Sequence, residues 1–182
     1  MTDLVTLFPR QSVPSLAIPL AGGGTFDLRA ESPENFTLVV FYRGLHCPIC
    51  RTQLKDLEAK LDEFAARGVG VVALSSDTEE RAVDAKSSWE LPRLRIGYGL
   101  SLEMARRWGL FVSEGRGKTS LGIEEPARFS EPALYLVRAD GTLYFGSIQT
   151  MPFARPHFAD ILGAIEFVLK IDYPARGEVI DL

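Results

Sequence analysis

The pattern of apolar and polar positions predicts a chain in which strands and helices alternate. Residues 36–42 form a continuous apolar, β-branched run that is typical of a buried strand. From Cys47 to Gly68 apolar side chains recur at helical spacing, and residues 69–74 form a second buried-strand run. We therefore predict one helix between two parallel strands, with a buried face of Leu54, Leu57, Leu61, Phe64 and Ala65.

The alternation continues beyond the second strand. Asp77 and Glu80 have the spacing of a capping box, which predicts a helix that runs to about Trp89. Residues 94–98 then form a short apolar run, and Ser101 is suited to cap a further helix. We expect a third strand and a third helix here.

The last third of the chain contains a loop, a hairpin and a helix. Residues 112–131 are polar and rich in glycine, which predicts a long functional or mobile loop. Residues 133–137 and 142–147 flank an Asp-Gly turn and predict an antiparallel hairpin. The final helix should follow Pro156, with a buried stripe of Phe158, Ile161, Leu162, Ile165, Val168 and Leu169.

Both ends of the chain lie outside this core pattern. Residues 1–35 form an extension in which the runs 13–20 and 25–28, joined by glycines 22–24, predict a short hairpin at a sheet edge. A tail follows the last helix at residues 172–182. With 182 residues, 46% of them hydrophobic, we predict a single domain over 1–182.

Composition excludes several classes of partner. A net charge of −4 provides no basic surface for nucleic acid, and no apolar run approaches the length of a membrane span. The first ten residues lack the charged and apolar regions of a signal peptide, and the chain has only two cysteines. We therefore expect a cytoplasmic protein without nucleic-acid or membrane partners.

The two cysteines carry the candidate chemistry. Cys47 and Cys50 stand at i and i+3 at a predicted helix start, where both thiols feel the unpaired N–H groups and the positive end of the helix dipole. These conditions favour thiolate, and Pro48 suits the first helical position. A zinc site would need four ligands, and only His46 and His157 could complete it. We expect redox chemistry, with no metal and no cofactor.

The stretch from Phe41 to Cys50, Phe-Tyr-Arg-Gly-Leu-His-Cys-Pro-Ile-Cys, resembles the thioredoxin superfamily and, within it, the peroxiredoxin-like (alkyl hydroperoxide reductase/thiol-specific antioxidant) branch. The resemblance extends through most of the chain. It implies an α/β, thioredoxin-like fold: a central mixed β-sheet flanked by helices, with an added N-terminal β-hairpin. It also implies catalysis by the Cys-x-x-Cys pair.

The resemblance allows two assignments of the cysteines. The peroxiredoxin pattern Pro-x-x-x-Thr-x-x-Cys places Arg43 on the proline, Cys47 on the threonine and Cys50 on the peroxidatic cysteine. In the thioredoxin register, Cys47 attacks and Cys50 resolves. Because the dipole effect falls off within the first turn, we expect Cys47 to be the more acidic and accessible thiol.

Arg43 and His46 are auxiliary candidates. Arg43 has a permanently charged guanidinium that could donate to a peroxide oxygen or hold the thiolate, and the alternative is a surface ion pair. His46 could stabilise the thiolate of the adjacent Cys47 or donate a proton, and the alternative is a solvent-exposed turn histidine.

Pro132 is the third auxiliary candidate. The resemblance implies a cis-proline here that faces the cysteines and exposes backbone to an incoming extended chain, at the place where standard peroxiredoxins carry an activating arginine. Arg128 and Arg155 could approach the site from neighbouring loops. Because most loop arginines are simply solvated, we leave both off the predicted site.

Three functions fit these observations. The first, which we favour, is a peroxiredoxin-like antioxidant oxidoreductase that reduces peroxides and is recycled by thioredoxin or by glutathione/glutaredoxin. The second is a general thiol–disulfide oxidoreductase of the thioredoxin type, and the third is a non-catalytic redox-sensing domain. The resemblance also allows a homodimer.

Overall fold

A five-stranded mixed sheet lies at the centre of the structure, a computed structural model that describes residues 4–181. Residues 1–3 of the predicted N-terminal extension and Leu182 of the predicted tail lie outside the described residues. The strands are β1 Ala17–Pro19, β2 Thr25–Asp27, β3 Phe36–Phe41, β4 Val69–Leu74, β5 Ile96–Gly97, β6 Val112–Glu114, β7 Arg128–Ser130, β8 Ala133–Arg138 and β9 Leu143–Ile148. The helices are α1 Pro48–Ala59, α2 Leu61–Ala65, α3 Glu79–Ser88, α4 Leu102–Arg107 and α5 Phe158–Ile171.

The central sheet has the strand order β5-β4-β3-β8-β9. β3 runs parallel to β4 and antiparallel to β8, and β9 closes the sheet as the predicted hairpin partner of β8. Alternate residues of β3 enter two separate cores: Leu38 and Val40 pack on the side of α1, α3 and α5, whereas Val39 and Phe41 pack on the side of α4. The predicted mixed sheet flanked by helices is confirmed.

The predicted N-terminal hairpin is also confirmed. β1 and β2 pair antiparallel with Ile18 opposite Phe26, and both side chains are buried in the second core. The backbone of Ala21 donates to the carbonyl of Ile96, so the hairpin abuts the β5 edge of the sheet as predicted.

The predicted helix from Cys47 to Gly68 is wrong as a single element. It breaks at Lys60, whose N–H donates to the Leu57 carbonyl in a tighter, 3₁₀-type bond. Phe64 is buried as predicted, but Ala65 is exposed. On α5 the predicted stripe is buried only as far as Ile165, and Leu169 is 40% exposed.

The predicted capping box at Asp77 is wrong, and the difference matters for the site. Thr78 caps α3, because its hydroxyl accepts the N–H of Arg81. Asp77 is thereby left to face the turn after β3: its carboxylate accepts the N–H of Leu45 at 2.7 Å and Nε of Arg81 at 2.8 Å. Ser101 does cap α4 as predicted.

The stretch 112–131 is a hairpin rather than a structureless loop. β6 and β7 pair antiparallel, with Ser113 opposite Phe129, and Glu114 forms an ion pair with its cross-strand neighbour Arg128 at 3.2 Å.

Among the helices of residues 4–181, none combines the length and the apolar character that a membrane span needs.

The close packing of Gly44 on Asp77 leads to a first prediction, which concerns stability. Gly44 has φ +135°, and a Cβ added there would lie 2.7 Å from the Asp77 carboxylate. Gly99 also has a positive φ, +74°, but a Cβ there would meet nothing within 4 Å. Gly99→Ala should cost about 1 kcal/mol of unfolding free energy. Gly44→Ala should cost at least about 2 kcal/mol more, because the clash adds to the backbone strain. Urea unfolding of both variants measures this, and equal losses would contradict the close packing of Gly44 on Asp77.

Candidate active site

A short turn between β3 and α1 places the two cysteines beyond the carboxyl end of β3, the central strand of the sheet. The N–H of Cys47 donates to the carbonyl of Gly44 at 3.1 Å, and Asp77 holds the N–H of Leu45 in the same turn. Cys47 is the N-cap residue of α1, with extended backbone, and Pro48 is the first helical residue. The sequence correctly places both at the helix start.

The two thiols are free and almost completely buried. Cys47 is 1% exposed and Cys50 is 0% exposed. The Sγ of Cys47 accepts the backbone N–H of Cys50 at 3.3 Å, and the Sγ of Cys50 accepts the backbone N–H of Arg43 at 3.4 Å. Each sulfur therefore has a main-chain donor that could stabilise a negative charge.

Arg155, which we left off the predicted site, supplies the side-chain donor to both sulfurs. One guanidinium nitrogen lies 3.4 Å from the Sγ of Cys50, and the other lies 3.5 Å from it and 3.7 Å from the Sγ of Cys47. Arg155 stands on the connection between β9 and α5, more than one hundred positions after the cysteines. No local sequence pattern connects residues at that separation, so only the folded sheet reveals the contact.

The surroundings separate the acidities of the two thiols. Hydrogen bonds from the Cys50 thiol and the Cys50 N–H, together with the positive charges of Arg155 and Arg43, lower the pKa of Cys47 to about 6 despite its burial. Burial raises the pKa of Cys50 well above its usual range, and the hydrogen bond and negative charge of Cys47 add to this. Although Arg155 lies closer to Cys50, it does not outweigh these effects. The pair thus favours a thiolate on Cys47 and a thiol on Cys50.

The guanidinium of Arg43 faces away from the sulfurs. It lies 3.3 Å from Glu131 and 3.4 Å from Glu125, and 4.6 Å above the ring of Phe129. Both carboxylates are more than nine-tenths buried, so this is an interior ion-pair network and not the surface pair that the sequence allowed. The Arg43 side chain therefore ties the β6–β7 hairpin to the active-site turn, and its backbone N–H makes the direct contact with sulfur.

His46 is completely buried, so the predicted alternative of a solvent-exposed turn histidine is wrong. Its ring packs 4.6 Å from that of Phe129, and its Nδ1 lies 3.4 Å from the guanidinium of Arg81. Burial, followed by the nearby charges of Arg43 and Arg81, lowers the pKa of His46 to about 3. At neutral pH the ring is neutral, so it offers Cys47 no positive charge.

Pro132 is buried and directly precedes β8, as predicted, but the predicted cis bond is wrong, since the peptide bonds among residues 4–181 are all trans. The backbone on both sides is already paired. The N–H of Glu131 donates to the carbonyl of Phe111, and the carbonyl of Pro132 accepts the N–H of Gln149. The N–H of Glu131 and the carbonyl of Pro132 are therefore not free to pair with an incoming extended chain.

A sequence model of the AhpC/TSA family matches residues 9–145, which is more than half of the chain. The chain belongs to the AhpC/TSA family. As a member it is a peroxiredoxin-like, thiol-dependent oxidoreductase with an antioxidant role, as the sequence predicted. The match includes both cysteines, whereas Arg155 lies beyond it.

Solved peroxiredoxin structures share the fold of this AhpC/TSA protein. Peroxidoxin BcpB from Mycobacterium tuberculosis is 15% identical, with a TM-score of 0.70 over 90% of this chain and 99% of that one. The reduced 2-Cys peroxiredoxin of Plasmodium vivax is 14% identical, with a TM-score of 0.73 over 92% and 84%. The thiol peroxidase of Chromobacterium violaceum is 16% identical, with a TM-score of 0.65 over 93% and 91%. These similarities confirm the thioredoxin-like fold. No curated protein matches the chain in sequence.

In the part of the chain that the structure describes, no three His, Cys, Asp or Glu side chains are grouped to hold a metal ion.

The electrostatics of the pair generate a second prediction. Arg155→Gln removes the positive charge beside both sulfurs, so the pH midpoint for alkylation of Cys47 should rise by about half a unit to one unit. Arg43→Ala should raise it less, because the Arg43 charge makes the smallest contribution to the Cys47 pKa. Arg128→Gln is the matched control, since Arg128 is an exposed arginine paired with Glu114. Iodoacetamide rates between pH 4 and 10, followed by mass spectrometry of the Cys47 peptide, measure the midpoints. A profile for Arg155→Gln identical to that of the parent would contradict the role of its charge.

Proposed function

We propose that the chain acts as one domain, over residues 1–182, and reduces peroxides with the dithiol of Cys47 and Cys50. The observation that carries the proposal is the ring of donors around two buried sulfurs: two backbone N–H groups and the guanidinium of Arg155. Donors of this kind stabilise a thiolate, and the family supplies the peroxidase chemistry in which a thiolate is the nucleophile.

The proposed reaction proceeds in two steps. The thiolate attacks one oxygen of the peroxide, an S–O bond forms as the O–O bond breaks, and the leaving oxygen takes a proton to become water or an alcohol. The second cysteine then attacks the sulfenic sulfur, an S–S bond forms and water leaves. The peroxide gains two electrons and the dithiol loses two.

We assign the attack to Cys47 and the resolution to Cys50. The lowered pKa of Cys47 and its position as N-cap of α1 support this assignment. The raised pKa of Cys50 keeps its proton in place until the sulfenic acid has formed. Cys50 stands one helical turn away on the same face, within reach for a disulfide after a small adjustment.

Arg155 contacts both sulfurs, and we call residues 150–156, which contain it, the covering segment. Phe153, which is 75% exposed, lines a cleft of about 480 Å³ with Arg155 on one side and a cleft of about 610 Å³ with Arg43 on the other. Because both cysteines are at most 1% exposed, we propose that peroxide and reductant reach them when the covering segment shifts into one of these clefts.

We propose a thiol-based system, thioredoxin or glutathione/glutaredoxin, as the reductant, because thiol–disulfide exchange reduces an intramolecular disulfide back to the dithiol. The cytoplasmic location and the homodimer stay predictions. Sedimentation of the reduced and oxidised protein tests the homodimer.

A thioredoxin-type disulfide reductase is the second candidate, because the acidic thiol stands at the N-cap as that chemistry requires. The backbone at Pro132 weighs against it, since the Glu131 N–H and the Pro132 carbonyl are already bonded to Phe111 and Gln149.

A third prediction tests the function. Equimolar peroxide should convert the reduced protein to an intramolecular Cys47–Cys50 disulfide, seen by mass spectrometry as the loss of two hydrogens from the monomer mass. Peroxide should then be consumed continuously when thioredoxin or glutathione with glutaredoxin is added. Insulin reduction is measured on the same preparation. Turnover of insulin without peroxide consumption would favour the second candidate, and thiols that react with neither peroxide nor insulin would contradict both.

A fourth prediction identifies the attacking cysteine. After a brief peroxide pulse, Cys50→Ser should carry a dimedone-labelled sulfenic acid on Cys47, because the serine hydroxyl can still donate to that sulfur but cannot resolve it. Cys47→Ser should remain unlabelled. Label on Cys50 in Cys47→Ser, together with none on Cys47 in Cys50→Ser, would reverse the assignment and restore the peroxiredoxin register.

A further inference from the structure

Arg155 uses its whole guanidinium in the site. The Nε–H donates to the carbonyl of Pro152 at 2.7 Å, and the two terminal nitrogens share their contacts among Gln53 and the two sulfurs. A guanidinium has five N–H groups in a rigid planar fork. Two oxygen acceptors at its ends are therefore enough to determine where the remaining N–H groups point.

Gln53 is the oxygen acceptor on the helix side. Its Oε1 lies 2.5 Å from the guanidinium of Arg155, which is shorter than any contact of Arg155 with sulfur. Cys47, Cys50 and Gln53 follow one another at intervals of three, so they form a single row along α1. Arg155 lies along this row, with Gln53 at the far end from the N-cap.

The acceptor at this position is the amide oxygen of Gln53, which is neutral and so adds no negative charge near the thiolate. A carboxylate in place of Gln53 would hold Arg155 equally well, but its negative charge would oppose a thiolate one or two turns away. The next residue of the row, Asp56, has its carboxylate paired with Lys60 instead.

The other charged side chains at the site are also paired. Arg43 is paired with Glu125 and Glu131, and Arg81 is paired with Asp77. His157 lines the cleft beside Arg155.

We infer that Gln53 is a positioning residue that holds the Arg155 guanidinium on the two sulfurs without cancelling its charge. The inference rests on the proposed dithiol function, because it assigns Gln53 a role only through Arg155 and the thiolate. Among the hydrogen bonds of the described residues, Gln53 makes one to Arg155 and none to either sulfur, so we assign it no part in the reaction itself.

The test compares three substitutions in the full-length reduced protein. Gln53→Ala removes the acceptor and frees the guanidinium. Gln53→Glu restores an acceptor and a good helix-forming residue but adds a negative charge. Thr52→Ala is the matched control, because Thr52 lines the same cleft and its hydroxyl bonds only the Pro48 carbonyl of its own helix.

The expected readout is the alkylation profile of Cys47. Gln53→Ala should raise its midpoint by about half a unit, which slows alkylation about threefold at pH below the midpoint, and Gln53→Glu should raise it at least as far. Thr52→Ala should leave it unchanged. The double variant Gln53→Ala/Arg155→Gln should match Arg155→Gln alone, because Gln53 acts through Arg155.

Three results would overturn the inference: recovery of the parent profile in Gln53→Glu, which indicates a purely structural role; additive shifts in the double variant; or an unchanged midpoint in Gln53→Ala. The profile does not depend on peroxide turnover. A parent protein that consumes no peroxide but shows the expected shifts would contradict the proposed function while supporting the positioning role.

Discussion

A negative charge on a sulfur buried beyond the carboxyl end of the central strand is the constraint on which this site depends. Water cannot solvate it, because Cys47 is 1% exposed, so the protein must supply every donor. The donors to Cys47 come from the N-terminal turn of α1 and from the connection between β9 and α5, and the turn after β3 supplies a main-chain donor to Cys50. The fold is the means by which these distant parts of the chain meet at two sulfurs.

The supports of the turn follow from the same constraint. Asp77 does not cap α3 as predicted. Its carboxylate accepts the N–H of Leu45 and packs against Gly44 so closely that a side chain at position 44 would not fit. On the opposite side Arg43 binds two buried carboxylates of the β6–β7 hairpin. Charged side chains therefore hold the turn that carries Cys47 on both sides. Arg155 is the one charged residue in the covering segment, residues 150–156, and its guanidinium holds this segment in place.

Features that depend on neighbouring residues could be predicted from the sequence, whereas features that depend on contacts between distant residues could not. Periodicity identified β3, β4, the β8–β9 hairpin and α5, and the helix-start chemistry of Cys47 and Pro48 was apparent from adjacent residues. The break at Lys60 was not apparent from the sequence, and neither was the choice of Thr78 over Asp77 as cap, because Asp77 instead accepts the N–H of the distant Leu45. Most loop arginines are solvated, and nothing near Arg155 in the sequence indicates that it faces the cysteines. The hairpin within residues 112–131 depends on the pairing of strands that are far apart in the sequence, with Glu114 opposite Arg128.

The donors around the buried pair keep Cys47 as a thiolate at neutral pH. Titration of the ultraviolet thiolate absorbance of the reduced protein tests this, with Cys47→Ser as the reference that isolates the signal of Cys47. We expect one thiolate that appears as the pH rises through about 6 and is absent from Cys47→Ser. A parent protein with no thiolate absorbance until the pH approaches about 8.5, the range of an ordinary free thiol, would contradict it.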